Sequence, residues 1–200
     1  MGTSVPAGHP APPRGGAELD ELTLARAQRG EAAACRALVE RYQRAVFALL
    51  GRLLGPAGRA ALVEDLAQET FLRAFRALPD FQRGGRARLS SWLLTIATRL
   101  ALDELRRVRL SPAGAERALA VPDPRGADDP VLRRALGRAL AQAVGGLAPE
   151  YRAAFLLREV HELDYDEIAR ALGIEIGTVK SRLARARAAL RAALAEVHDG

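Results

Sequence analysis

The chain has 200 residues, 49% hydrophobic and only 4% aromatic. That length holds two small domains or one ordinary one, and its core must be built from Leu, Ala, Val and Ile, a composition that favours helices over strands. The formal net charge of +6 suits a polyanionic partner such as nucleic acid. No run approaches the roughly 20 uninterrupted apolar residues of a membrane span, and the N-terminus lacks a basic-then-apolar signal pattern. The expectation is a soluble, cytoplasmic protein without membrane insertion.

The single cysteine, Cys35, lies amid Ala34, Ala37 and Leu38; it forms no internal disulfide and reads as a small, half-buried residue. His9, His161 and His198 are scattered, so no metal site is expected. Lys180 is the only lysine, and its surroundings, Gly177 to Ser181, lack phosphate-loop spacing. No cofactor is implied. Enzyme motifs are missing too: there is no Gly-x-Ser-x-Gly, His-Glu-x-x-His or Cys/His nucleophile pair. No catalytic residue is assigned.

In chain order, residues 1–17 are rich in Pro, Gly and Ala and read as a disordered tail. From Glu18 to Leu54 helical spacing dominates, as in Leu38, Tyr42, Ala45 and Leu49. Gly55, Pro56 and Gly58 break it. A second helical run covers about Ala60 to Leu78, with Pro79 ending it. On that helix Leu62, Val63, Leu66, Thr70, Phe71 and Ala74 form an inward arc, while Asp65, Gln68, Glu69, Arg73 and Arg76 face away. Leu72 falls within the polar face, ringed by charge as an interface anchor would be.

Residues 80–89 form a loop with Gly84, Gly85 and the arginines Arg83, Arg86 and Arg88. Ser90 or Ser91 can cap a third long helix reaching about Val108. Charge, close backbone approach and the two serine hydroxyls make this loop a candidate for catching an unstacked, single-stranded base. Trp92, the only tryptophan, reads as a core anchor. Residues 109–130 carry repeated Pro and Gly with Asp123, Asp128 and Asp129 near the end, and read as an extended linker. Helical patterning resumes over residues 131–197, broken at Gly145-Gly146, at residues 161–163 and at Gly173. The predicted fold is all-α: two small helical domains, 18–108 and 131–197, joined by a flexible linker.

The sharpest pattern lies between Asp164 and Leu190. Asp164 and Glu167 have capping-box spacing, so a helix should start at Tyr165. Ile168, Ala169 and Leu172 face inward, and Gly173 supplies a left-handed C-cap. A second helix follows from about Glu175, completing a helix-turn-helix. On it Val179, Leu183, Ala186 and Leu190 share one narrow arc. Thr178, Ser181 and Arg185 project from the opposite side, with Lys180 and Arg182 on the flanks. From Ile176 to Arg191 there are five basic residues and no acid. Such a face can reach guanine edges or phosphates in a major groove.

The run from Leu147 to Val160, followed by Tyr165-Asp166-Glu167-Ile168-Ala169 and Gly177 to Leu183, resembles region 4 of bacterial RNA polymerase sigma factors. The N-terminal half independently resembles sigma region 2. There Asp65 to Phe75 is similar to the segment that docks on the clamp coiled coil of the polymerase, and Trp92 to Ala97 with Leu100 to Arg107 is similar to the −10 helix. With no counterpart of regions 1.1 and 3, the chain resembles the small extracytoplasmic-function type. The resemblance implies promoter recognition with core RNA polymerase, bound at clamp coiled coil and flap. The −35 element would be read by Lys180, Ser181 and Arg185, then Thr178 and Arg182. The −10 element would be held by Arg83, Arg86, Arg88, Ser90, Ser91, Arg99, Arg106 and Arg107, and polymerase by Asp65, Gln68, Glu69, Leu72 and Arg76. Many members carry Asn near Arg99 and Phe at Leu89, which bears on −10 preference. The acidic linker would thread through the polymerase, and an anti-sigma factor would hold the protein inactive.

The expected mechanism divides the labour. Each helical module alone discriminates few base pairs, and core polymerase fixes their separation. The free protein is then a monomer that binds DNA weakly. The rival expectation is a helix-turn-helix regulator acting as a dimer without polymerase, which leaves residues 65–107 unexplained. An RNA-binding stacking module is disfavoured by the scarce aromatics.

Overall fold

A computed structural model describes residues 18–82, 88–110 and 130–198 of the chain. Among the described residues there are eight α-helices and no strand. The first half comprises α1 (Glu21–Gln28), α2 (Ala32–Leu54), α3 (Val63–Ala77) and α4 (Leu89–Leu110); the second comprises α5 (Pro130–Gly146), α6 (Pro149–Glu159), α7 (Tyr165–Leu172) and α8 (Ile176–His198).

Local chemistry sets the ends. Asp20 caps α1, its carboxylate accepting the Thr23 N–H at 2.9 Å. Helical spacing dominates from Glu18 to Leu54, and within that stretch the chain turns between α1 and α2. Gly30 sits at φ 79°, its N–H bonds to the Ala27 carbonyl, and the Glu31 N–H bonds to that of Arg26. This six-to-one, five-to-two pair is a Schellman ending. Helical periodicity passes through such a turn because the apolar residues on both sides still face one core. The turn lets α1 pack back along α2.

α2 is the central element. It packs against α1, α3 and α4, and its C-terminal half also meets α6. Leu38, Val46, Leu49, Leu50, Leu53 and Leu54 are fully buried along it. At the end of α1 the Gln28 amide donates to the carbonyls of Leu78 and Phe81, fixing the turn after α3. Phe81 then stacks on Trp92 with ring centroids 5.1 Å apart, so the single tryptophan packs at the core's edge.

In the second half, α8 receives α5, α6 and α7. The capping box forms as spaced: the Asp164 carboxylate accepts the Glu167 N–H at 2.7 Å, and the Glu167 carboxylate accepts the Asp164 N–H at 3.0 Å. Gly173 adopts φ 64°.

The halves also pack on each other. α7 lies against α4, α6 against α2 and α4, and one continuous buried cluster runs from Leu24 to Leu183. A smaller cluster of Leu147, Ala186 and Leu190 joins α8 to the start of α6. The junction is tied by Arg152, only 5% exposed. Its guanidinium donates to the carbonyl of Leu53 at the end of α2, and to those of Val144, Gly145 and Leu147 at the end of α5. Helix C-termini present unpaired carbonyls and partial negative charge, which a guanidinium satisfies. Burial pushes the Arg152 pKa down to about 10, so it stays charged at neutral pH.

Candidate nucleic-acid interface

The helix-turn-helix is built by α7 and α8. Val179, Leu183, Ala186 and Leu190 are all buried, as the narrow arc requires. Thr178, Lys180, Ser181 and Arg185 are exposed on the opposite side, and Arg182 is half-buried on the flank. The Ser181 hydroxyl donates to the Thr178 carbonyl at 3.0 Å, and Arg185 donates to the Tyr151 hydroxyl at 3.1 Å. Farther along, Arg187 pairs with Glu159 at 2.6 Å, which ties α8 to α6. The cationic face of α8 therefore begins at its N-terminal two turns, where its backbone N–H groups also favour anions.

On α3 the buried residues are Ala67, Thr70, Phe71 and Ala74, with Leu62, Val63 and Leu66 half-buried. Asp65, Gln68 and Arg76 are exposed. Glu69 forms an i,i+4 pair with Arg73 at 2.6 Å. Leu72 is 51% exposed, an apolar side chain standing in a charged face.

The α4 set is arranged differently. Arg83 and Arg86, with Gly84 and Gly85, lie outside the described residues. Arg88 stands just before α4, its carbonyl accepting the Trp92 N–H at 3.0 Å. Its side chain forks onto Glu167 of α7: Nε to Oε1 at 3.0 Å and Nη2 to Oε2 at 2.9 Å. Ser91 is 3% exposed and its hydroxyl donates to the Arg88 carbonyl. Ser90 meets Glu18, whose carboxylate accepts both its hydroxyl and its N–H and also the Tyr42 hydroxyl. Arg99 donates to the carbonyls of Arg170 at 2.7 Å and Ala171 at 3.2 Å. Arg106 and Arg107 are exposed, paired along the helix with Asp103 and Glu104.

Glu167 is 4% exposed. Burial works against its ionisation, but hydrogen bonds from Arg88 and the Asp164 N–H outweigh it, so its carboxyl lies below the ordinary glutamate range. The same bond raises Arg88 further. Sequence reasoning placed Glu167 in a capping box and missed its second partner. Arg88 is 79 residues away, and no local spacing encodes that pairing. The role of Arg152 is hidden for a different reason. Its acceptors are backbone carbonyls, which leave no trace in side-chain pattern.

Two family models match: "Sigma-70 region 2" over residues 38–110 and "Sigma-70, region 4" over residues 137–190. With an all-helical fold ending in a helix-turn-helix, these matches define a sigma-70-type transcription initiation protein. The chain is 34% identical over 187 residues to the RNA polymerase sigma-H factor of Pseudomonas aeruginosa, covering 88% of this chain and 94% of that one. It is 33% identical over 186 residues to the ECF RNA polymerase sigma-E factor of Escherichia coli K12, covering 86% and 92%. Identity reaches 39% over 167 residues with the ECF sigma factor SigE of Mycolicibacterium smegmatis, covering 80% of this chain and 61% of that protein's length. The chain belongs to the extracytoplasmic-function (ECF) RNA polymerase sigma factors. Among solved structures it resembles the sigma factor RpoE of Bartonella quintana in complex with the anti-sigma factor NepR, with TM-score 0.64 and 25% identity over 80% of this chain and 95% of that one. It also resembles CnrH in complex with the cytosolic domain of CnrY, with TM-score 0.60 and 26% identity over 88% and 96%. No helix among the described residues is long and apolar enough to cross a membrane.

Proposed function

We propose that this sigma factor directs core RNA polymerase to promoters with two spaced elements. The first turns of α8 enter the major groove of the −35 duplex, with Lys180, Ser181 and Arg185 as primary contacts and Thr178 and Arg182 beside them. The N-terminal end of α4 and the loop before it hold the melted −10 strand through Arg83, Arg86, Arg88, Ser90, Ser91 and Arg99, with Arg106 and Arg107 on the later turns. Leu72 and its polar rim, Asp65, Gln68, Glu69 and Arg76, dock on the clamp coiled coil, and the second domain, 131–197, lies near the flap. The N-terminal tail, residues 1–17, precedes the first domain, 18–108, and the segment 109–130 links it to the second.

One observation carries this reading. From Ile176 to Arg191 the exposed side of α8 is acid-free and cationic, while the opposite side is closed into the core. A structural helix needs only the buried side, whereas a duplex-reading helix needs both. The polymerase performs all covalent chemistry and the protein acts in the cytoplasm. The anti-sigma complexes of the structural relatives support control of this chain by a partner of that kind. Transcription in vitro with purified core polymerase on a pool of genomic fragments tests the reading. Start sites that depend on the protein and share two spaced elements are expected. Duplex binding without polymerase affinity would instead assign it to regulators that act alone.

A further inference from the structure

Three consecutive residues tie three helices together at the start of the described chain. Asp20 caps α1, the Leu19 N–H donates to the Tyr42 hydroxyl of α2 at 2.9 Å, and the Glu18 carboxylate meets Ser90 of α4. Ser90, which the sequence offers as a cap for α4, is instead its second residue. The first N–H groups of a helix have no intrahelical acceptor. Glu18 supplies one from 72 residues away, accepting the Ser90 N–H at 3.3 Å and the Ser90 hydroxyl as well. The same carboxylate accepts the Tyr42 hydroxyl at 2.9 Å. Tyr42 is buried. Burial raises its pKa most, and the Glu18 carboxylate adds to the rise. The phenol keeps its proton at neutral pH and holds Glu18 in place.

We infer that Glu18 is a positioning residue for strand capture: anchored by Tyr42, it holds the first turn of α4 in the geometry that the melted −10 strand meets. This rests on the reading of α4 and the loop before it as the strand-holding face. The placement is costly on charge grounds. Glu18 lies near enough to Arg88 for its charge to act on that guanidinium, alongside the stronger effect of Glu167, and a carboxylate there weakens attraction for a polyanion. The hydrogen bonds to Ser90 give the compensating gain, a turn that need not be ordered when the strand arrives. Ser90 also remains useful to the strand. Its hydroxyl proton is committed to Glu18, so toward a third group it acts as an acceptor, suited to an N–H of an unstacked base.

The test uses holoenzyme assembled from core polymerase and full-length variants. The probes are a fluorescein-labelled single strand carrying a −10 element that the protein selects and a labelled −35 duplex. Glu18→Ala should weaken single-strand binding about five-fold, the usual worth of a helix cap, with −35 duplex affinity, core affinity and helical circular dichroism unchanged. Glu18→Gln removes the same charge but keeps a carbonyl acceptor, so it should bind the strand at least as tightly as the wild type. If Glu18 acted by charge alone, both variants would bind more tightly; a gain or no change with Glu18→Ala would overturn the inference. Tyr42→Phe frees Glu18 without touching α4. It should weaken strand binding in the same direction, and the double variant should be no weaker than Glu18→Ala. Fully additive losses would overturn the anchoring by Tyr42. Arg88→Ala tests the reading beneath the inference. If it weakens strand binding and Glu18→Ala does not, the positioning role fails and the strand-holding face stands. If neither variant weakens it, α4 does not hold the strand and the positioning role falls with it.

Discussion

The guanidinium of Arg152, on α6, donates a 2.9 Å hydrogen bond to the carbonyl of Leu53 at the end of α2, 99 residues earlier. Three further carbonyls at the end of α5 complete its shell. Replacing Arg152 with Leu leaves buried carbonyls unpaired at two helix ends. The expected loss is about 3–5 kcal/mol in urea unfolding. Arg152→Lys, which keeps the charge with fewer donors in a different geometry, should lose less.

His161 follows α6, and its Nε2 is buried with no hydrogen-bond partner among the described residues. Burial, and then the nearby Arg52 charge, push its pKa down from 6.5 to about 4. The unfolded chain therefore binds a proton that the folded chain refuses between those values. The sign follows: stability rises with pH through this window and falls on acidification. About 2 kcal/mol should be lost from this residue between pH 7 and pH 5. Urea midpoints of His161→Leu against the wild type at both pH values measure it, and the variant's profile should be flatter.

Gly173 makes the turn between the two helices of the reader at φ 64°. A Cβ there would meet no atom within 4 Å, so the penalty for Gly173→Ala is conformational alone. A loss of about 1 kcal/mol is expected, measured by thermal melting. A much larger loss would mean that a neighbour closes on the turn.

Leu72 tests polymerase docking separately from folding. Because it is half exposed, Leu72→Asp should change stability by less than about 0.5 kcal/mol. If it anchors the polymerase interface, affinity for core enzyme should fall at least about ten-fold. Fluorescence polarisation of labelled protein against core polymerase measures this directly.

Lys180 and Arg185 test the proposed duplex-reading face. Each alanine replacement that removes a phosphate contact should lower the slope of log affinity against log salt by about 0.9. One that removes a base contact should instead relax preference at one promoter position by about 1–3 kcal/mol. Salt titration of −35 duplex binding by the holoenzyme separates the two.

Much of the fold was legible because helix signals are local. Asp164 and Glu167 announce the start of α7, Gly173 its end, and the spacing of Val179, Leu183, Ala186 and Leu190 the buried side of α8. Leu72 could be singled out because its neighbours on the helix are charged. The turn at Gly30 was not visible, since a Schellman ending needs one left-handed residue and leaves apolar periodicity untouched. The partners of Arg88, Arg99 and Arg152 were hidden for another reason. Two of those three arginines bond backbone carbonyls, which every residue owns, and the third finds a carboxylate that local spacing had already explained.

Lys180 is the chain's single ε-amine and stands exposed on the reading helix. Arginine supplies every other side-chain cation, histidines aside, and guanidinium groups do not react with ordinary acylating reagents. Acylation or carbamylation of side-chain amines thus falls on one spot of the surface, the turn of α8 proposed to face the duplex. With α8 in the groove as proposed, the rate at which that spot is labelled reports how long the helix stays out of it, with no engineered probe required.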